Sequence, residues 1–596
     1  MEAFQSFKGY GKFDHANYSN EDDQAFRRTS RKRIMIIIVS TVLLVAVIIG
    51  AVAGTVIHKQ RNDDDKHGDT QQVVSSAQSI KAVCSQTRYP DSCSSSLTAM
   101  DTSKNTTDPE ELFKLSLQVA LSSLTALLMS ASLPEASMIN SDKEALKVCR
   151  EVFQDAVDNL QDSLSSMDHQ GTNTNNYLLL SPGKIDDLRT WLSAALTNQE
   201  TCLDTLQEMN ATPSLALHIK SQIHNSTQYT SNSLAIVTKI LTILDIPIHG
   251  RRRKLLGTTT KNGLIPPRWV DRPRRLLLAV QVDDRPAPNV TVATDGSGDV
   301  TTINGAMEMV PQKSNTRFVI YVKEGEYLEN VVVNKSLWNV MVYGDGMDKS
   351  IVSGSLNKVD GVATFFTATF GVSGKGFIAM DMGFKNTAGA IKEQAVAMRS
   401  SSDLSVFYRC SFDAFQDTLY PHSKRQFYRD CNITGTVDFI FGDSSVVLQN
   451  CMIMPRQPLP KQFVTITAQG KKDENENTGI SIQKCELTPL DNLTAPTYLG
   501  RPWKDHSTTV IMQSRIGGGF LNPLGWAEWD QGVEPPASIF YAEHHNTGPG
   551  SAVDKRVNWA GYKPSLTNAE AARFNVRSFI GGSAWLPQTD VTFDST

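Results

Sequence analysis

Two aspartates, Asp417 and Asp438, lie 21 positions apart in a stretch whose cysteines, Cys410, Cys431 and Cys451, repeat at nearly the same interval. Each cysteine stands in a short phrase with an apolar residue two places on: RCSF, DCNI, NCMI. A period of this size marks a solenoid, each repeat one coil stacked on the last. Equivalent positions on successive coils then lie about 4.8 Å apart. Carboxylates that close do not both ionise comfortably, and one pKa is pushed up. The same residue type can therefore supply an acid and a nucleophile. An isolated Asp is usually a turn residue, but these two sit beside Phe415, Tyr420, Phe439 and Phe441. Carboxylates buried against rings are costly unless paired or used. A cation is at hand in LGRPWK, where Arg501 stands between Gly500 and Pro502 and could clamp a carboxylate with both arms of its guanidinium.

Other hydrolytic chemistries leave no trace in this half of the chain. No serine has glycine at both −2 and +2, so there is no nucleophile elbow. There is no H-E-x-x-H, and His422, His506, His544 and His545 are too scattered to suggest a metal site. No cofactor is expected. The net charge of −4 gives no sign of nucleic-acid binding, so an anionic substrate would be held by local Arg or Lys.

The elements that must position these residues begin near Val290, where short β-branched runs alternate with Gly, Asn and Asp: FVIYVKEG, NVMVYGDG, SVVLQN, FVTITAQG. Such strands predict an all-β architecture. A sandwich would also give short strands, but the register near twenty residues favours a right-handed parallel β-helix over residues 286–596. The segment NAEAARFNVRSFI is expected to cap the coil. Cys431 and Cys451, one coil apart, are at a spacing that a disulfide could bridge, whereas Cys410 could equally be a free inward thiol. A Cys431–Cys451 bridge is the expectation.

Upstream, residues 1–33 form a polar tail ending in a basic cluster. Residues 34–57 carry no charge, long enough for a bilayer that needs about 20 residues. The stronger positive cluster precedes this run, which predicts a transmembrane signal-anchor with a cytosolic tail; a cleaved signal sequence is the alternative. N-x-S/T triplets lie beyond it at Asn105, Asn210, Asn225, Asn289, Asn334, Asn432 and Asn492. Residues 75–245 read as an all-α four-helix bundle with helices in 110–133, 144–164, 184–206 and 231–244. There Cys84 and Cys93 would staple a local hairpin, and Cys149 and Cys202 would tie two long helices. Residues 246–285 form a linker with two basic clusters, including Arg253-Lys254 and Arg274-Arg275, which predict proteolytic processing.

The C-x8-C spacing and the phrase WLSAALTNQETC resemble the plant pectin methylesterase and invertase inhibitor domain. The blocks GEYLE (325–329), QAVAMR (394–399), QDTL (416–419), DFIFG (438–442) and LGRPWK (499–504) resemble the five signature blocks of plant pectin methylesterases. Met398 replaces the commoner Leu, a near-isosteric change. The resemblance implies a pectinesterase precursor whose N-terminal domain is an autoinhibitory or folding pro-region, with Asp438 as nucleophile, Asp417 as proton donor and Gln416 as transition-state stabiliser. It implies Thr364, Gln394, Arg501 and Trp503 as substrate contacts, with Tyr420, Phe441 and Trp529 lining the cleft. The implied partners are methylesterified pectin (homogalacturonan), a subtilisin-like processing protease and separate inhibitor proteins. The implied mature enzyme is a monomer in the extracellular cell wall, delivered from a membrane-anchored precursor in the secretory pathway. A β-helix lyase or glycosidase and a silent wall-binding protein are the competing readings.

Overall fold

The computed structural model describes residues 75–100, 106–131, 138–168, 181–241 and 285–596. The tail 1–33, the apolar run 34–57, the basic clusters at Arg253-Lys254 and Arg274-Arg275, and Asn105 lie outside the described residues.

The helical part begins with two short helices, α1 (Ser76–Cys84) and α2 (Pro90–Met100), joined by the Cys84–Cys93 disulfide. Four long helices follow: α3 (Pro109–Ala131), α4 (Asn140–Asp168), α5 (Pro182–Glu208) and α6 (Pro213–Ile236). Helix α5 starts where Ser181 accepts a hydrogen bond from the Lys184 N–H and Pro182 occupies the first turn, a position that needs no donor. The Cys149–Cys202 disulfide ties α4 to α5, with Cα atoms 4.6 Å apart. The last helix begins at Pro213, well before the expected 231. Its first half, PSLALHIKSQIHNSTQY, is polar enough to hide the period, yet Leu215, Ile219 and Ile223 still bury one face. Among the described residues, only α3 is long and apolar enough to cross a membrane by composition, and it buries Leu112, Phe113, Leu117, Leu124 and Leu127.

From Val290 the chain winds into a parallel β-helix. Its strands fall into three parallel sheets, of eleven, seven and eight strands, each coil contributing one strand to each in its central part. One such coil is β11 (Ser405–Tyr408), β12 (Ser411–Asp413) and β13 (Leu419–Pro421); the next is β14 (Arg425–Arg429), β15 (Asn432–Gly435) and β16 (Ile440–Gly442). In-register pairing sets Phe412 on Ile433 and then on Ile453. Inward side chains form one continuous core from Val290 to Tyr562, including stacked Phe370, Phe384, Phe407, Phe412 and Tyr428. This core is made wholly of β-helix residues and α7 (Ile303–Glu308), whose Ile303, Ala306 and Met307 close the first coil.

The coils turn a corner at one left-handed residue each: Asp381, Arg409, Asp430, Asn450, Lys484 and Gln513, with φ between 50° and 60°. Left-handed backbone costs an ordinary residue about 1–2 kcal/mol. The turn it makes is repeated, and the residue after it points inward. That next residue is Cys410, Cys431, Cys451 or Cys485 on four successive coils, all buried free thiols. The expected Cys431–Cys451 bridge is therefore absent. Stacking distance permits a bond, but in-register neighbours on parallel strands aim their Cβ atoms alike, not at one another. Three of the thiols instead meet a carbonyl of the preceding coil, Cys431 that of Phe407 at 3.4 Å, Cys451 that of Tyr428 at 3.7 Å and Cys485 that of Leu448 at 3.4 Å, while Cys410 meets the carbonyl of Tyr408 at 3.5 Å.

The C-terminal segment does not plug the end of the coil. Its short helices α8 (Asn568–Ala571) and α9 (Val576–Phe579) lie along the outside of the eleven-stranded sheet. Val576, Ile580 and Leu586 there cover the outward residues Val319, Ile378, Val406, Phe427 and Val447.

Candidate active site

Asp417 and Asp438 occupy equivalent places on adjacent coils, two residues before the paired Leu419 and Ile440. Both have left-handed backbone, φ 65° and 51°. Strain held at a pair of buried polar residues points to function. Gly435 makes the tight bend beneath them possible. A Cβ there would stand 2.3 Å from that of Phe439 and 2.5 Å from the Thr418 hydroxyl.

The two acids live in different surroundings. Arg501 donates from Nε to Asp438 Oδ1 at 2.9 Å and from Nη2 to Oδ2 at 2.6 Å, a bidentate ion pair. Thr465 Oγ1 donates to Asp438 Oδ1 at 2.6 Å and accepts from the Asp438 N–H at 2.8 Å. Arg501 is braced against Trp529, 4.3 Å from its ring centre, and Phe463 at 5.6 Å. Its strand, β22 (Thr497–Pro502), lies close on β19 (Val464–Gln469) because position 500 is glycine. A Cβ there would be 2.0 Å from Thr467 Oγ1. Asp417 is 8% exposed, and burial first, then the charges of Asp438 and Glu208, raises its pKa well above the usual carboxylate range. Arg501 only partly offsets this.

Gln394 and Gln416 meet in a parallel bridge on adjacent coils, beside Asp417. The buried side-chain oxygen of Gln394 has no hydrogen-bond partner. Both amides, both acids, Arg501, Thr364 and Trp503 line one cleft of about 430 Å³, together with Tyr420, Phe441 and Trp529. Tyr420 and Phe441 stack at 4.1 Å, and Trp503 and Trp529 at 6.1 Å. The structure thus brings all the sequence-predicted catalytic and substrate residues to one place. Among the described residues no group of three or more His, Cys, Asp and Glu is arranged to hold a metal ion.

Sequence reasoning missed three features of the site. Thr465 fixes Asp438 from the next coil, and nothing in its strand marks it. His422, fully buried, bonds to Ser401 Oγ through Nδ1 and Thr201 Oγ1 through Nε2 at 2.9 Å each, and burial lowers its pKa well below the usual value. Most important, α5 forms a wall of the cleft through Thr201, Asp204, Thr205, Gln207 and Glu208. Glu208 Oε1 accepts from the Thr364 N–H at 2.9 Å and its hydroxyl at 2.6 Å. Lys504 Nζ donates to Glu200 at 2.8 Å and to Asp204 at 2.5 Å. Deeper in, Thr197 donates to Asp443, Asp187 pairs with Arg425, and Ser231 of α6 donates to Asp473. The spacing of Glu200, Asp204 and Glu208, four residues at each step, was the available signal for an acidic helix face.

Of the remaining triplets, Asn210, Asn225, Asn289, Asn334 and Asn492 are exposed, and Asn432 is half-buried at the start of β15.

A family model described as Pectinesterase matches residues 289–583, and one described as Plant invertase/pectin methylesterase inhibitor matches residues 78–236. The chain is 54% identical to Pectinesterase 3 of Phaseolus vulgaris over all of both chains. It is also 54% identical to Pectinesterase 1 of Arabidopsis thaliana, over 99% of each. The solved pectin methylesterase from carrot is 48% identical with a TM-score of 0.50, covering 52% of this chain and 98% of its own. That share of this chain is the length of the β-helix, and nearly all of the carrot chain falls within the match.

Proposed function

This chain belongs to the pectinesterase family, carboxylic ester hydrolases that convert pectin methyl esters to galacturonate carboxylates and methanol, and we propose that Asp438 is its nucleophile and Asp417 its acid and base. Asp438 attacks the C6 carbonyl of a methylated galacturonosyl unit, and the carbonyl π pair moves onto oxygen. The side-chain amides of Gln394 and Gln416 donate to that oxyanion, where one donor is worth about 3 kcal/mol. As the tetrahedral intermediate collapses, the C–O bond to methoxide breaks and the Asp417 proton goes to it, releasing methanol. Asp417, now a carboxylate, takes a proton from the water that attacks the acyl-enzyme. Asp438 leaves as a carboxylate, and Asp417 is again protonated. Sugar rings stack on Trp503, with Tyr420 and Phe441 alongside, and Thr364 contacts the polymer.

The observation that carries this reading is the division of labour between the acids. Asp438 is gripped by Arg501, while Asp417 is driven towards its protonated form by burial and by its neighbour. The Gln394–Gln416 pair favours acyl chemistry over a lyase or glycosidase, which would need a basic residue or acids without paired amides. The test is Asp438→Ala in the β-helix, residues 285–596. Loss of methanol release from methylated pectin with unchanged melting is expected; normal release would remove Asp438 as nucleophile.

The bundle is the internal inhibitor of this cleft, because α5 stands where substrate would lie. Residues 34–57 anchor the precursor in the secretory pathway. A subtilisin-like protease cuts at Arg253-Lys254 or Arg274-Arg275, freeing a monomeric β-helix enzyme for the cell wall. Asn289, Asn334 and Asn492 carry its N-glycans, and Asn210 and Asn225 those of the bundle.

A further inference from the structure

The two short strands that follow the catalytic acids each end in a second polar residue. Asp417 precedes β13 and His422 follows it; Asp438 precedes β16 and Asp443 follows it. His422 and Asp443 are neighbours on adjacent coils, and the Asp443 N–H donates to the His422 carbonyl at 3.1 Å. Five residues along the strand place this second pair at most about 16 Å from the first.

His422 is fixed as a donor. Arg399 Nη1 donates to Ser401 Oγ at 2.9 Å, and among the described residues the Ser401 hydrogen meets no acceptor but His422 Nδ1, 2.9 Å away. On the other side of the ring, Thr201 gives its hydrogen to the Thr197 carbonyl at 2.8 Å and so accepts from Nε2. Both ends select the same tautomer, with the hydrogen on Nε2. Burial, then the charges of Arg399 and Lys424, keep the ring neutral. Asp443 is fixed as an acceptor. Its Oδ1 takes Gln469 Nε2 at 2.9 Å and Thr478 Oγ1 at 2.5 Å, both from the β-helix. Among the described residues its Oδ2 meets only Thr197 of α5, at 2.7 Å.

The two outward atoms, His422 Nε2 and Asp443 Oδ2, are thus met by hydroxyls of α5 alone, and the β-helix holds each in place from behind. Aromatic faces lie on both sides. Tyr420 flanks His422 with ring centres 5.2 Å apart. Trp503 lies across Gly470, where a Cβ would stand 3.0 Å from its Cε3 and 3.6 Å from the Asp443 Cβ. A donor beside an acceptor at the edge of aromatic faces suits a pyranose, which stacks by its face and offers adjacent hydroxyls at its edge.

We propose that His422 and Asp443 form a hydroxyl-binding subsite for a galacturonosyl unit away from the reacting ester, one ring hydroxyl accepting from His422 Nε2 and its neighbour donating to Asp443 Oδ2. A unit linked through its C1 and C4 oxygens keeps its C2 and C3 hydroxyls free whether or not it carries a methyl ester, so the subsite grips the polymer independently of the group being removed. A free carboxylate there would face Asp443 and be repelled. The choice of sugar rests on the pectinesterase reading of the cleft.

The test uses residues 285–596 as wild type, His422→Phe, His422→Gln and Asp443→Asn, each checked by thermal unfolding. Fully methylated galacturonate oligomers of three and of six units are compared, the shorter too short to reach from the acids to the pair. In His422→Phe and Asp443→Asn the ratio of kcat/KM, hexamer over trimer, is expected to fall about tenfold through KM. His422→Gln, whose amide keeps a donor, is expected to restore it. Hexamer binding, which needs no turnover, is expected to weaken by the same factor. Nitrogen NMR of the wild type labelled in histidine is expected to show His422 protonated at Nε2; protonation at Nδ1 would overturn the donor. An unchanged ratio with unchanged hexamer binding would overturn the subsite and leave the pair as docking residues for the bundle. No methanol from either oligomer with the wild type, but weaker hexamer binding in the variants, would instead sink the esterase reading and leave the sugar site standing.

Discussion

Arg501 holds Asp438 by both arms of its guanidinium, at 2.9 and 2.6 Å, while Asp417, on the adjacent coil, raises its own pKa by burial and by facing Asp438. The fork matters more than the charge. In Arg501→Lys a point charge replaces two parallel hydrogen bonds and loses the stacking on Trp529. A fall in kcat of about a hundredfold is expected in steady-state methanol release, with KM little changed. Retained kcat would show that charge alone suffices.

Asp417 must begin the cycle protonated. Its raised pKa keeps the proton on as pH rises through the ordinary carboxylate range, and activity falls once pH passes the raised value. Asp417→Asn keeps the size but has no proton to give, so methanol release should drop by at least about a thousandfold. A substrate with a better leaving group than methoxide, such as an activated aryl ester, should regain much of the first step. If both substrates lose activity equally, Asp417 is not the acid.

Thr465 is the residue that sequence reasoning overlooked beside the nucleophile. Thr465→Val removes both the donor to Asp438 Oδ1 and the acceptor of the Asp438 N–H while keeping the β-branched shape of a strand residue. Loss of the hydrogen bond to the charged group, about 1.5–3 kcal/mol, predicts kcat/KM lower by roughly ten- to a hundredfold, with a smaller loss of melting temperature from the unpaired Asp438 N–H. Equal losses in activity and stability would make it a folding residue only.

Closure by the bundle should depend on pH. Burial raises Asp204 to about 6 against the pull of Lys504, helped by the charge of Glu200, and burial also raises Glu208. Asp443, facing Thr197 across the same contact, is likewise raised by burial to about 6. A carboxyl whose pKa is raised on docking binds its proton more tightly docked than free. Docking is therefore strongest below the ordinary carboxylate pKa and weakens as pH rises through about 6. Methanol release by the uncleaved chain, divided by that of residues 285–596, should rise between about pH 5 and about pH 7.5. A constant or falling ratio would contradict this.

The four cysteines of the β-helix should behave as buried thiols. Native protein from residues 285–596 should resist alkylation, and unfolding without reductant should expose four reactive thiols by mass spectrometry. Finding two, with a peptide linking Cys431 to Cys451, would restore the bridge that the structure lacks.

What the sequence made legible was whatever repeats or carries chemistry. The interval from Asp417 to Asp438 set the coil, and the coil then brought Gln394 and Arg501 to the acids from two other strands or turns, with Gln416 next to Asp417 in the chain. Cys149 and Cys202 showed which helices are tied. The failures were of two kinds. Thr465 and the thiol ladder depend on the direction in which side chains leave the backbone, which spacing alone does not state. The start of α6 and the place of the C-terminal helices depend on tertiary burial of weakly apolar segments. Lys504 lay in view within LGRPWK, but its meaning needs Glu200 and Asp204, some 300 residues earlier.

The most direct test compares methanol release from methylated pectin by residues 285–596 and by residues 75–596, both verified as folded. The short form should release methanol, and the long form at least about tenfold less, because α5 stands in the cleft. A folded short form that releases no methanol but cuts galacturonan would contradict the esterase account. Equal release by both forms would show that the helix beside Asp417 and Asp438 does not close their cleft.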